Sequence, residues 1–584
     1  MTIALLARFI ALLACLGTAV ACADRPDKAG TFDRYAVASA NPAATHAGKM
    51  ILERGGTAID AAVAAEAVLG LVEPQSSGLG GGAFLVYFDA QTKKLTSYDG
   101  RETAPAATRP DQFLGANGAP KPFMDQVVGG QSVGVPGLMP MLALAQKQHG
   151  RLPWKTLFGP AINLADNGFT VGARLHRLIT AAPALRTQDT ARRYFFTTDG
   201  TPLAQGAIVR NPPYAQTLKA LAADPMALNS GPPATAIVDA VAHAPANPQT
   251  ITPQDLASYK PRERAPICAP YHMFRICGMG PPSSGGTTIL ATLGMLERFD
   301  LRALGPKSPL SWHLIAEAER LAYADRAQYL ADPDFVRVPT QGLIDPAYIK
   351  SRSLLIDPER AAQGVRAPGI PPMAGQSGAV DTSLELPGTT HLTIVDRFGD
   401  VAAMSATIEN PFGSNLMAAG FLLNNELTDF SPIPSRDGKP VANVAAPGKR
   451  PMSSMSPMIV FDDSGRIVMA IGSPGGRRII GYVVKTLIAV LDWNLPMQEA
   501  IDLPNVLNPN GPTEIEASLS AGTLAAALEA KGHTIKVMQG EESGLQGFRV
   551  VPAGYEAAAD HRREGSVEGG RTWWPWRWIR NIFR

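Results

Sequence analysis

Gly388-Thr389-Thr390-His391-Leu392-Thr393-Ile394-Val395-Asp396 sets a residue without a side chain, a hydroxyl and a β-branched run in direct succession. Upstream, residues 364–388 are rich in Pro, Gly and Ser, the composition of an exposed loop. Downstream, His391 to Asp396 and Val401 to Thr407 read as two strands joined through a turn at Arg397 to Asp400, a hairpin. A threonine hydroxyl is a weak nucleophile, yet a threonine at a chain terminus has its own α-amine, of ordinary pKa about 8, as a built-in base. Inside this chain such a terminus has to be made by cutting the bond after Gly388. Taken alone, Gly388 to His391 is an ordinary strand start.

The surroundings are those of a mixed α and β protein with a sheet-rich carboxyl part. Thr57 to Asp60 opens an alanine-rich run to Leu71 with a capping-box-like start, which predicts a buried helix. The glycines of Gly78-Leu79-Gly80-Gly81-Gly82 precede a strand at Ala83 to Phe88, whereas a dinucleotide fingerprint needs a strand before its glycines and a helix after them. Ser308-Pro309 begins a helix through Tyr329 whose carboxylates read as a solvated face. Phe421 to Asn424 reads as a strand. Met458 to Phe461 and Ile467 to Ile471 form a second candidate hairpin, and Ile479 to Trp493 reads as a helix.

Five separated motifs, Glu73-Pro74-Gln75-Ser76-Ser77-Gly78-Leu79-Gly80-Gly81-Gly82, Gly388-Thr389-Thr390-His391, Leu422-Leu423-Asn424-Asn425, Arg450-Pro451-Met452-Ser453-Ser454-Met455-Ser456-Pro457 and Gly472-Ser473-Pro474-Gly475-Gly476, together closely resemble the γ-glutamyltransferase (glutathione hydrolase) family. The match runs in order from about Ala36 to Gly570. The resemblance implies the four-layer αββα sandwich of the N-terminal nucleophile hydrolases, an α+β fold. It also implies a precursor that cuts itself between Gly388 and Thr389 into a large subunit, residues 24–388, and a small catalytic subunit, residues 389–570, which stay together as a heterodimer.

By the same resemblance Thr389 is both cutter and catalyst, and Thr407 contacts its hydroxyl. Gly475 and Gly476 supply backbone N–H groups to the oxyanion. Glycines just before a helix suit that task, because N–H groups there approach a developing negative charge with the helix dipole behind them. Arg101 matches the arginine that grips the substrate α-carboxylate, helped by Ser453 and Ser454, and an arginine fork suits a carboxylate. Glu409, Glu426 and Asp429 match positions around the substrate α-amine. Three carboxylates facing one arginine leave a surplus of negative charge that an ammonium offsets and a glutaryl group does not. The implied substrates are γ-glutamyl amides, glutathione among them, with water, amino acids or peptides as acceptors. Many family members carry a lid loop with an aromatic residue, but residues 431–450 contain none, which implies a more open pocket.

Three alternatives remain, one of them an inactive, envelope-attached binding protein that only the tail, residues 571–584, supports. A glutaryl or cephalosporin-type acylase shares the fold and the threonine motif. Gly130-Gln131-Ser132-Val133-Gly134 fits the elbow of α/β-hydrolases and makes Ser132 a rival nucleophile, although Val127-Val128 is a poor preceding strand and Pro136-Gly137 spoils the helix expected next. His391 reads as a packed strand residue. The nine histidines form no metal-binding motif with the cysteines, so no metal or cofactor is expected.

Lys and Arg number 53 against 51 for Asp and Glu, so no charge imbalance favours nucleic acid. Residues 1–23 carry Arg8, an apolar run and Ala19, Ala21 and Ala23, the order of a secretory signal. Cleavage after Ala23 is favoured; lipid anchoring at Cys22 is the alternative, and either places the protein in the periplasm or outside the cell. An exported protein can oxidise Cys268 and Cys277, whose spacing fits a local bridge as well as it fits two buried thiols. The tail, residues 571–584, combines four tryptophans with four arginines, suited either to peripheral contact with a membrane interface or to a loose extension.

Overall fold

The computed structural model describes residues 27–375, 378–518, 521–540 and 543–572. The expected signal, Cys22 and nearly all of the tail lie outside the described residues. Among those residues, two seven-stranded sheets form the centre. In chain order their strands are β1 (Ala29–Phe32), β2 (Tyr35–Ser39), β3 (Gly82–Phe88), β4 (Leu95–Gly100), β5 (Arg262–Arg264), β6 (Ile267–Tyr271), β7 (Phe274–Gly278), β8 (Thr390–Val395), β9 (Val401–Thr407), β10 (Met458–Phe461), β11 (Ile467–Gly472), β12 (Gln546–Val551), β13 (Gly554–Ala559) and β14 (Ser566–Gly570). One sheet has the order β14-β2-β8-β9-β3-β4-β5 and the other β1-β13-β12-β11-β10-β7-β6, with every pairing antiparallel.

Helices cover the outer faces. Against the first sheet lie α1 (Pro42–Glu53), α2 (Ala58–Val72) and α3 (Leu138–His149); against the second lie α4 (Gly285–Leu296), α5 (Pro309–Tyr329) and α6 (Ile479–Leu491). The layering follows from side-chain alternation. On β3, Ala83, Leu85 and Tyr87 join the core under α2, while Phe84, Val86 and Phe88 point into the core between the sheets. A strand buried on both faces must be apolar at every position, which is why Ala83 to Phe88 reads as a continuous run. Thr57 caps α2 through the expected reciprocal box with Asp60, and every residue of that helix is buried.

Both sheets mix strands from the two sides of position 388. Strand β2 pairs with β8 and β14, β3 with β9, β1 with β13, and β7 with β10. A cut between Gly388 and Thr389 therefore leaves two chains that share both sheets and have no separate core.

The sequence reading needs three corrections. The carboxylates of α5 are not a solvated face: Glu317 pairs with Arg320, Glu319 accepts from the Asn508 N–H at 2.6 Å, and Asp325 holds Arg352 at 3.1 Å and Tyr348 at 2.8 Å, all buried. Segments remote in sequence roof this helix, and local periodicity cannot register them. Of Phe421 to Asn424, only Phe421–Leu422 forms a strand, a two-residue ribbon with Met417–Ala418. The loop before Thr389 is exposed near Val365 and Ile370 but turns inward at Asp381 and again at Gly388.

The cysteines are bridged. Antiparallel pairing of β6 with β7 sets Cys268 opposite Cys277, with Cα atoms 4.1 Å apart, and the disulfide closes across that pair.

Candidate active site

The hairpin of β8 and β9 builds the centre of the site. Its register pairs Val395 with Val401 and Thr390 with Ala406, so Thr389 emerges beside Thr407 at the open end. The Thr389 Oγ1 donates to Thr407 Oγ1 at 3.2 Å, and Thr407 Oγ1 also accepts the Glu409 N–H at 2.8 Å. Thr389 has φ +72°, a left-handed conformation that costs a β-branched residue about 1–3 kcal/mol. Gly388 is required sterically: a Cβ there would stand 1.6 Å from the Glu409 carbonyl oxygen.

The glycine run serves close approach rather than phosphate binding. A Cβ on Gly80 would meet the Leu422 carbonyl oxygen at 2.1 Å and one on Gly81 the Thr407 carbonyl oxygen at 2.0 Å. Asn424 clamps this packing, donating to the carbonyls of Gly80 at 2.7 Å and Gly134 at 2.9 Å. Asn425 donates to Glu409 Oε2 at 2.7 Å and accepts the Asn410 N–H at 2.9 Å, fixing the carboxylate beside the hairpin end.

A small pocket opens over Thr389. Arg101, Thr407, Glu409, Glu426, Asp429, Ser453, Ser454 and Gly476 all line it, so the structure brings nearly every site residue expected from sequence to one place. Gly475 lies next to Gly476 but not on the lining. Both glycines take positive φ, 141° and 58°, in the turn that enters α6, and a Cβ on Gly476 would stand 2.7 Å from the Leu386 carbonyl oxygen. Residues 431–450 contribute nothing to the lining; they fold into a small ribbon, Ser435–Arg436 with Lys439–Pro440.

Sequence reasoning found Arg101 but missed several of the residues around it. Arg101 is fully buried and forks between Glu426 and Asp429, with Nε donating to the Pro451 carbonyl at 3.1 Å and Nη2 to that of Met452 at 2.9 Å. Glu102 lies 3.8 Å from the same guanidinium. A second arginine, Arg326 of α5, donates to Ser454 Oγ at 2.9 Å and Ser284 Oγ at 2.8 Å and pairs with Glu385, four residues before Thr389. Adjacency to Arg101 and to Thr389 were the only signals for Glu102 and Glu385. Arg326 had none, because its helix read as solvated.

The resulting charge is lopsided: Glu102, Glu385, Glu409, Glu426 and Asp429 surround two guanidinium groups. Burial, followed by the charge of Glu426, pushes the Glu409 carboxyl up to about 8. Burial likewise raises Glu102, Glu426 and Asp429, against the pull of Arg101. The Asp429 Oδ1 is buried with no hydrogen-bond partner, an acceptor without a donor.

His391 is packed between the sheets. It bonds to Ser405 Oγ at 2.8 Å and Thr393 Oγ1 at 2.9 Å, fits under Gly472, and is pushed down to about 3 by burial. A neutral buried imidazole makes stability fall in acid, because below its ordinary value of about 6.5 the unfolded chain takes a proton that the folded one refuses, and the loss ends only near the folded value. Between pH 6.5 and 5, His391 alone should remove about 2 kcal/mol. Denaturant unfolding of the uncleaved Thr389→Ala chain should show that loss, and adding His391→Gln should shrink it by about as much; equal losses in both would remove His391 as the cause.

Ser132 is not a nucleophile here. It ends a short 3-10 turn, is buried, and donates to the carbonyls of Val127 at 2.6 Å and Gly129 at 3.1 Å.

A threonine at the head of a central strand, over a four-layer αββα sandwich, defines the N-terminal nucleophile hydrolase class. The sequence profile described as Gamma-glutamyltranspeptidase matches residues 44–570, and the chain belongs to that family. It is similar to the glutathione hydrolase proenzyme of Bacillus subtilis (strain 168), 35% identical over 91% of both chains. It is equally similar to the acylase ACY 1 proenzyme of Pseudomonas sp. (strain V22), 35% identical over 93% of this chain and 95% of that one. Among solved structures, the cephalosporin acylase of Bacillus halodurans shares the fold with a TM-score of 0.81, at 24% identity over 93% of this chain and 97% of that one. These findings fit an enzyme processed from a precursor into two subunits and acting on small molecules.

Proposed function

We propose that the chain cuts itself between Gly388 and Thr389 and then cleaves γ-glutamyl amides, glutathione among them, through an acyl-enzyme on Thr389. The observation that carries this reading is the Thr389 hydroxyl, 3.2 Å from that of Thr407, facing a buried pocket that holds both an arginine fork and the unpartnered Asp429 Oδ1. The freed α-amine takes the hydroxyl proton as Thr389 attacks the γ-carbonyl. The N–H groups at Gly475 and Gly476 receive the oxyanion, and the proton passes to the leaving amine. Water or an amino-acid amine then takes the glutamyl group.

At the other end of the substrate, Arg101, with Ser453 and Ser454, binds the α-carboxylate, and Asp429, Glu426 and Glu409 receive the α-ammonium. Similarity to an acylase supports a second reading, hydrolysis of glutaryl-type amides, but such a group brings no cation to a pocket already rich in carboxyls. Purified protein should therefore turn over a γ-glutamyl anilide at least about 100-fold faster in kcat/KM than the glutaryl anilide. Equal rates would favour the acylase reading. Amino-terminal sequencing of the smaller band should read Thr389-Thr390-His391, and added amino acids should speed release of the anilide product if transfer competes with hydrolysis. Export to an oxidising compartment is part of the proposal, supported by residues 1–23 and by the Cys268–Cys277 bridge.

A further inference from the structure

Arg563 belongs to no motif read from the sequence, yet it touches the bond that must break. It precedes β14, its side chain is buried, and its guanidinium donates from Nη1 to the Thr389 carbonyl oxygen at 2.9 Å and from Nη2 to the Gly388 carbonyl oxygen at 3.4 Å. One planar fork thus holds the carbonyls on both sides of Thr389, the residue at φ +72°. A lysine ammonium, a point charge on a flexible stem, lacks that paired geometry.

We propose that Arg563 is a catalytic residue of the self-cleavage step, holding the Gly388 carbonyl for attack and stabilising the oxyanion formed on it; this rests on the maturation reading given under Proposed function. In that step Thr389 Oγ1 bonds to the Gly388 carbonyl carbon, and the π pair of the C=O moves onto the oxygen facing Arg563. The hydroxyl proton passes to the Thr389 nitrogen, the C–N bond breaks, and an ester joins Gly388 to Thr389 Oγ1. Water then adds to the ester carbonyl, releasing the Gly388 carboxylate and restoring the Thr389 hydroxyl beside a free α-amine. The oxyanion of this step lies on a main-chain carbonyl that the mature enzyme no longer holds there. Arg563 and the Gly475-Gly476 turn therefore serve different events.

The test follows conversion of freshly purified full-length precursor by intact mass for wild type, Arg563→Met, Arg563→Lys and Arg563→Ala, the last with and without added guanidinium. Loss of one preorganised donor to an oxyanion slows a reaction about 100- to 1,000-fold. The methionine variant should be slowed by that factor, lysine should restore only part of the rate, and guanidinium should speed the alanine variant; a role in folding alone would not give that rescue. Cutting of the methionine or lysine variant at the wild-type rate, or no response of the alanine variant to guanidinium, would overturn the proposal. If wild type itself is never cut at 388, the maturation reading fails instead.

Discussion

Thr389→Ala should leave the protein as one uncut chain and remove at least about 10⁴-fold of its turnover. On the proposed mechanism one oxygen serves twice, which makes the effect large. Thr389 directly follows the Gly388 carbonyl and lines the pocket, and Thr407, its neighbour at 3.2 Å across the open end of the hairpin, has its oxygen already accepting from the Glu409 N–H. Without the hydroxyl no bond is cut, no α-amine is freed, and the base is lost together with the nucleophile. Folding should survive, because the residue precedes a strand whose pairing to β9 is made by backbone groups. Thr389→Ser, which keeps the oxygen, should still cut and still turn over. Intact mass, a denaturing gel and the γ-glutamyl anilide assay read all three outcomes; an alanine variant that matures and works would refute the nucleophile assignment.

Arg101→Lys should raise KM for the γ-glutamyl anilide at least about 100-fold while changing kcat much less, the pattern of lost binding common to ground and transition states. The physical basis is the fork: Arg101 reaches Glu426, Asp429 and the carbonyls of Pro451 and Met452 at once, all out of water. A lysine cannot span these partners, and buried carboxylates that lose their cation are costly, about 3–5 kcal/mol when a buried pair is broken outright. Arg101→Ala should therefore also lower the melting temperature. A KM within threefold of wild type for the lysine variant would place the carboxylate elsewhere, with Arg326 the next group to examine.

Glu385 and Arg326 show how proximity in the fold differs from proximity in the chain. Glu385 lies four residues before Thr389 and Arg326 lies on a distant helix, yet they pair beside the pocket, whose lining includes Glu385. Apart from the nearness of Glu385 to Thr389, nothing in their spacing marks either residue.

The sequence by itself determined the strands of the central hairpin, the buried alanine-rich helix, the glycine at 388 and most of the residues that line the pocket over Thr389. These are legible because each depends on local chemistry: β-branched alternation, a capping box, or a motif whose residues travel together. Only the tertiary structure decided that the α5 carboxylates are buried, that Cys268 faces Cys277, that Ser132 is tied to backbone carbonyls, and that Arg326 and Arg563 enter the site. Each of these depends on which remote segment covers a side chain, and burial by remote chain sets both the environment of a charge and the partners it can reach.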